Sequence, residues 1–158
     1  MSEREIRIAA TGILVAAAFL PLAAVATNAA IVLGAPSSLR VVFHAVCHGI
    51  PDRCLLLFGV PLPLCGRCFG FYCGVVAGIG SSLLFRRAAW WSSNPRLWFL
   101  LMVPMAIDGV LELFHVYAGT NLLRAATGVA AGAGIGLWAM AALTKSRCAE
   151  QPHRVAPL

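Results

Sequence analysis

Four residues carry the most reactive chemistry in the sequence: Cys47, His48, Cys65 and Cys68. They read C-H, sixteen intervening residues, then C-x-x-C. A C-x-x-C turn presents two thiolates to one ion, and zinc is commonly completed by further Cys or His. Copper(I) also suits soft ligands. Cys47 and His48 are neighbours whose side chains diverge on a helix, so one of them binds while His44 or His115 completes the set. Zinc is the default metal. The same C-x-x-C pair also suits thiol–disulfide exchange. A cysteine at a helix N-terminus gains thiolate stability from the dipole, and Arg67 adds positive charge. Cys47 or Cys54 is then the second redox partner, with a quinone as electron acceptor. In a third reading the bond is a structural disulfide from Cys47 to Cys65 or Cys68. The residues alone leave these three open.

A second group lies in an apolar stretch. Asp108, Glu112 and His115 stand at 0, +4 and +7, within roughly 60° of arc on one helix face. A charged carboxylate at the centre of a bilayer costs at least ~2.5–3.5 kcal/mol. These groups must therefore face a bundle interior or a wet cavity. Asp108 either contributes to a polar site or forms a structural clamp with Arg124. Arg53, Asn121 and Arg124 are its expected companions, together with Arg67 and His44.

The elements that position these residues follow from composition. Of the 158 residues 60% are hydrophobic and only 11% charged. Soluble domains carry about 25% charged residues, so the surface of a soluble fold of this size would go unsolvated. Four apolar blocks qualify as membrane helices, at about 8–33, 68–85, 97–117 and 122–143, since spanning takes about 20 residues. Membrane-spanning strands are not expected, because these blocks lack barrel alternation. The first block reads as a span with a kink at Pro21 and not as a cleaved leader, because "MSEREIR" is charge-balanced and the apolar run is long. Gly66, Gly70, Gly74 and Gly78 in the second block, and Gly128, Gly132 and Gly136 in the fourth, recur every fourth residue. Such spacing lets helix backbones approach closely in lipid, and it places the second and fourth spans in contact.

The basic residues set the orientation. Eight of the twelve lie in the first tail, the second loop and the last tail; the other four are Arg40, Arg53, Arg67 and Arg124. Both termini are therefore expected in the cytoplasm, with the protein multi-pass in the plasma (inner) membrane. The net charge of +6 is a consequence of this topology. No basic patch with interleaved aromatics calls for nucleic acid. The lipid bilayer is the expected partner, and the glycine ridges make a homodimer plausible. Trp90, Trp91 and Trp98 fit the cytoplasmic boundary. Residues 1–145 form one integral membrane domain, and 146–158, with Cys148 and His153, a disordered cytoplasmic tail.

Residues 34–67 form the one long connection. Leu39, Val42, Phe43 and Val46 mark the apolar face of an interfacial amphipathic helix, N-capped by Ser38 and ended by Gly49 and Pro51. Its polar face carries Arg40, His44, Cys47 and His48. Pro61 and Pro63 exclude a helix further on, and Gly59 predicts a turn. A short extended hairpin then delivers Cys65 and Cys68 to the second span. The expected fold is all-α: a four-helix membrane bundle with this interfacial helix and a short irregular loop between helices 1 and 2.

The stretches "CHGIPDR" (47–53) and "PLCGRCFGFYCG" (63–74) resemble a family of small bacterial and archaeal polytopic membrane proteins of unknown function. Its pattern runs CHxxxxR, then LPxCxRCxGxYxG. "PMAIDG" (104–109) and "TNLLRAATG" (120–128) extend the likeness over about residues 45–136. The resemblance implies the architecture and no reaction. The family usually has serine where this chain has Cys54, and an aliphatic residue at the position of Cys73, which makes those two poor candidates for a shared role. No phosphate-binding glycine loop, nucleophile elbow or zinc-protease motif is present, and whether the chain is an enzyme stays open. The residues point to an extracytoplasmic Cys/His site of metal-binding character.

Overall fold

The structure is a computed structural model that describes residues 3–84, 94–116 and 119–150, with the backbone alone for residue 3 and for 146–150. The expectations for Trp90, Trp91, the Cys148 side chain, His153 and the two loop arginines 86 and 87 fall outside the described residues. The chain is mostly helical. Helix α1 spans Glu3–Val32 and passes Pro21 without ending. A 3-10 helix follows at Ser37–Ala45, and a short one at Pro51–Arg53. Two strands come next, β1 at Cys54–Leu57 and β2 at Val60–Cys65. Helix α2 covers Gly66–Leu84, α3 covers Pro95–Leu113 and α4 covers Asn121–Glu150.

The connection between α1 and α2 is more regular than an all-α fold allows. β1 and β2 pair antiparallel, with Cys54 opposite Cys65 and Leu57 opposite Val60. Phe58 and Gly59 form the two-residue turn, both with positive φ (54° and 76°). That is the backbone a tight hairpin needs, and glycine adopts it without strain. Pro61 and Pro63 fit because a two-stranded ribbon has only edge strands. The hairpin leans on α1: the fully buried Asn28 amide donates to the Leu57 carbonyl at 3.0 Å. The preceding helix has 3-10 geometry where an amphipathic α-helix was expected. Its buried side is Phe43, while Val41, Val42 and Val46 stay exposed.

Helices α2 and α4 form the centre of the molecule, with α1 against α2 and α3 against α4. A Cβ added at Gly74 would lie 2.8 Å from the Ala133 amide nitrogen, and one at Gly136 would lie 2.7 Å from the Val75 carbonyl oxygen. Backbone therefore meets backbone along this seam, and only hydrogen fits there. Ile79, Val75 and Met140 fill the core where α1 joins the pair, with Ala10 and Ala17 facing them.

By length and apolar content, three helices among the described residues qualify to cross a membrane: Arg4–Val32, Gly66–Leu84 and Asn121–Lys145. Helix α3, with 19 residues, is long enough but carries Arg96, Asp108 and Glu112. α4 continues as helix to Glu150, into the segment expected as a tail.

Candidate functional site

The hairpin, the start of α2, the end of α3 and the start of α4 meet at one end of the bundle. β2 ends at Cys65 and α2 begins at Gly66. The C-x-x-C pair therefore straddles a strand-to-helix junction, with Cys68 in the first helical turn. Cys47 arrives from the first connection. It lies one helical turn after Phe43, its N–H bonded to the Phe43 carbonyl at 2.9 Å. Both side chains are buried with Leu64 and Ala24.

The sulfurs of Cys47, Cys65 and Cys68 lie within 4.8 Å of one another. The Cys65 N–H donates to the Cys47 sulfur at 3.3 Å. None of the five cysteines whose side chains are described is bridged. The Cys65 thiol is pulled down to about 5, chiefly because the Cys68 thiol donates to its sulfur. Backbone N–H groups of Cys68 and Arg67 and the Cys47 thiol act in the same direction, against the opposing effect of burial. Cys54 behaves otherwise. It sits opposite Cys65 in the ribbon but turns its thiol away, donating to the Ile50 carbonyl at 3.1 Å. Burial, with the neighbouring Cys65 and Cys47 adding to it, pushes Cys54 up to about 11.

Beside the thiols lies a network of ions. Arg67, on α2 between the two cysteines, donates Nε to Asp108 Oδ2 at 2.7 Å, and its terminal nitrogen also reaches that oxygen. The same nitrogen meets Glu112 Oε2 at 2.6 Å. Arg124 of α4 meets Glu112 Oε1 at 3.1 Å, and Arg53 from the connection meets the same oxygen at 3.0 Å. Asn121 joins strand and helix: its amide donates to the carbonyls of Asp52 and Cys54 at 3.0 and 2.9 Å. Its carbonyl oxygen accepts from Arg124 at 2.7 Å. Three guanidinium groups thus surround two carboxylates. The clamp expected between Asp108 and Arg124 takes a different form: Arg67 holds Asp108, and Arg124 holds Glu112.

The expected residues separate into three places. Cys47, Cys65 and Cys68 come together. Arg53, Arg67, Asp108, Glu112, Asn121 and Arg124 form the adjoining network. His48 is outside the thiol group: with His44 and Arg40 it lines a cavity of about 410 Å³ between the 3-10 helix and β2. The cause is where the helix stops. Cys47 is tied back to the Phe43 carbonyl and buried beside it, whereas His48 follows in the irregular stretch that leads through Gly49, beyond the 3-10 helix that ends at Ala45. His115 joins none of these places, because α3 ends at Leu113 and His115 lies exposed in the turn beyond, with φ 55°. Two contributors escaped the sequence reading: Asn28, whose signal was a lone amide inside an apolar span, and the Arg67–Asp108 pairing, which had none.

Residues 47–138 match a family described as "Predicted membrane protein (DUF2085)". The chain is 34% identical over 96 residues to an uncharacterized protein of Methanocaldococcus jannaschii, a match covering 60% of this chain and 61% of that relative. It is 33% identical over 93 residues to an uncharacterized protein of Methanothermobacter thermautotrophicus, covering 59% of this chain and 83% of the relative. The chain thus spans less than two thirds of the length of the first of these relatives. No solved structure matches it. The matched segment contains the three clustered thiols and the whole ion network; it leaves out α1, Arg40 and His44.

Proposed function

The chain belongs to the DUF2085 family of predicted membrane proteins, and on that premise we propose that it is a four-span membrane bundle, one domain over residues 1–145, that holds zinc or another soft or borderline metal ion at Cys47, Cys65 and Cys68 on the outer face of the plasma membrane. The observation that carries the reading is the convergence of three sulfurs within 4.8 Å. Sulfurs bound to one zinc ion sit ~3.8 Å apart, given bonds of ~2.3 Å in tetrahedral geometry, so small side-chain rotations close the set. Three thiolates, with no fourth side-chain ligand grouped with them among the described residues, leave a coordination position for water, a substrate or an exchanging ligand. A soft monovalent ion in trigonal geometry suits the same donors.

The ion network supports α3 as the fourth span. Asp108 and Glu112 would bar insertion if they faced lipid, but they face three arginines. Phe99, Leu100, Ile107 and Val110 of the same helix are exposed and apolar, as lipid-facing residues are. With four spans the eight-to-four division of basic residues favours both termini in the cytoplasm. The exposed valines of the 3-10 helix then rest at the outer interface. Arg53, Arg67 and Arg124 tie the loop, α2 and α4 to α3, so the thiols are held on a braced frame.

A second reading is thiol–disulfide exchange through Cys65 and Cys68, favoured by the hydrogen bond that makes Cys65 the more acidic thiol. One experiment separates the two. Full-length protein purified in detergent from metal-supplemented cells is analysed for metal, and its thiols are counted before and after reduction. About one metal per chain, lost in Cys65→Ser/Cys68→Ser and kept in Cys54→Ser, is the expected outcome. Metal-free protein with a reducible Cys65–Cys68 bond would sink the metal reading and favour exchange.

A further inference from the structure

The cavity beside the thiols has a chemistry of its own. Arg40, His44 and His48 line it, and Pro51, Pro61 and Pro63 form much of the remaining wall. No carboxylate and no thiol is among its lining residues. Arg40 is central. Its Nε is buried and has no hydrogen-bond partner among the described residues. A buried guanidinium N–H without an acceptor is costly and rare, so its partner is to be sought in a ligand. The prolines lack N–H groups and are rigid, so they shape the cavity without competing for an acceptor. Gly49 brings the wall close to the histidine: a Cβ there would lie 3.3 Å from His44 Nε2, and its φ of 58° strains any other residue.

We propose that the Arg40–His44–His48 cavity binds a phosphate group. The guanidinium fork matches phosphate oxygens two at a time. Each imidazole adds an N–H donor. A metal cation fits less well: two histidines are too few ligands, and Arg40 repels it. The cavity volume, about 410 Å³, admits a phosphate together with part of an esterified group. Exposed Leu39, Val41, Val42 and Val46 flank the site on the same connection, an apolar setting that suits the headgroup phosphate of a lipid as well as a free phosphate ion. The site does not depend on the thiols, and it uses two residues, Arg40 and His44, outside the segment matched by the family.

The test uses full-length protein, delipidated in detergent and titrated calorimetrically with two probes: inorganic phosphate and short-chain phosphatidylglycerol. At least one probe is expected to bind at one per chain. Arg40→Gln should weaken it about tenfold or more, the worth of one charge-assisted hydrogen bond. Arg96→Gln, an exposed arginine remote in the chain, should leave binding unchanged. Binding of phosphatidylglycerol alone assigns the site to lipid headgroups; binding of both assigns it to the phosphate itself. Should Arg40→Gln fail to fold, Arg40→Lys and His44→Gln/His48→Gln provide the comparison, each expected to weaken the bound probe. Metal content must stay at the wild-type value in these variants, which separates this site from the thiols. Binding of neither probe, or equal binding by the Arg40 and Arg96 variants, overturns the proposal.

Discussion

The α2–α4 seam and the outer end of the bundle are continuous in the chain, yet they are held by opposite means. Along the seam, backbone touches backbone, and a Cβ at Gly74 or Gly136 would sit inside contact distance of the facing helix. At the outer end, long side chains from the first connection, α2, α3 and α4 meet charge to charge. In lipid, helices gain little by hiding apolar surface from one another, so the seam depends on close fit. The outer end depends on each buried ion keeping its partner. The first region should therefore tolerate changes in chemistry but not in volume, and the second the reverse.

The largest effect should come from adding volume to the seam. Gly74→Leu must push α2 away from α4, and we expect no folded, monodisperse protein in detergent. Gly74→Ala already places a carbon against backbone and should lower the melting temperature, with overpacking of this kind costing about 1–3 kcal/mol. Gly109→Ala is the control, since nothing lies within 4 Å of its added Cβ. It should melt at or slightly above wild type, because alanine favours helix. Equal melting of the Gly74→Ala and Gly109→Ala proteins would show that the seam is not closely fitted.

Next in size is the loss of a buried ion. Arg67→Met keeps most of the volume but takes the guanidinium from Asp108, which is 4% exposed. Removing one partner of a buried pair costs about 3–5 kcal/mol. Adding Asp108→Asn in the same chain should recover part of that. Arg53→Met is the milder counterpart: its side chain is 47% exposed, and exposed pairs contribute about 0–1 kcal/mol. Unfolding in graded denaturing detergent would rank the three, and an Arg53→Met effect as large as that of Arg67→Met would contradict the division drawn here.

The two regions also differ in how far the sequence reveals them. Four-residue glycine spacing is a local pattern with one physical use in lipid, so the contact of α2 with α4 could be read directly. Pro61, Pro63 and Gly59 likewise imposed the hairpin. The outer end resisted because its partners are set by distance in space. Asp108 and Glu112 announced a polar face, but nothing local decides whether Arg67 or Arg124 takes which carboxylate. The positions that α2 and α3 each take along α4, on which both pack, decide it. His48 beside Cys47 invited a shared metal site, but Cys47 is buried with Phe43 while His48, past the end of the 3-10 helix, lines the cavity. His115 fitted the helical stripe only while α3 was taken to continue past Leu113.

The smallest effect on the fold comes from a test that alters no residue. In reduced, metal-free protein Cys65 and Cys54 hold opposed backbone positions in the ribbon, one thiol pulled down to about 5 and the other pushed up to about 11. Alkylation requires the thiolate. Cys65 is already mostly ionised at pH 5.5, so its rate should rise by less than about twofold up to pH 7.5, where an ordinary thiol with a pKa of about 8.5 gains nearly ~100-fold. The sign follows from the direction of each shift: a lowered thiol loses its charge only as pH falls through its lowered value, and a raised one stays protonated throughout this range. Cys54 should stay unmodified. Peptide mapping after timed iodoacetamide treatment measures both sites in one sample. If Cys65 followed the ordinary steep rise, the Cys68 hydrogen bond and the junction with α2 would not be holding its charge, and the outer end would owe its order to the arginine network alone.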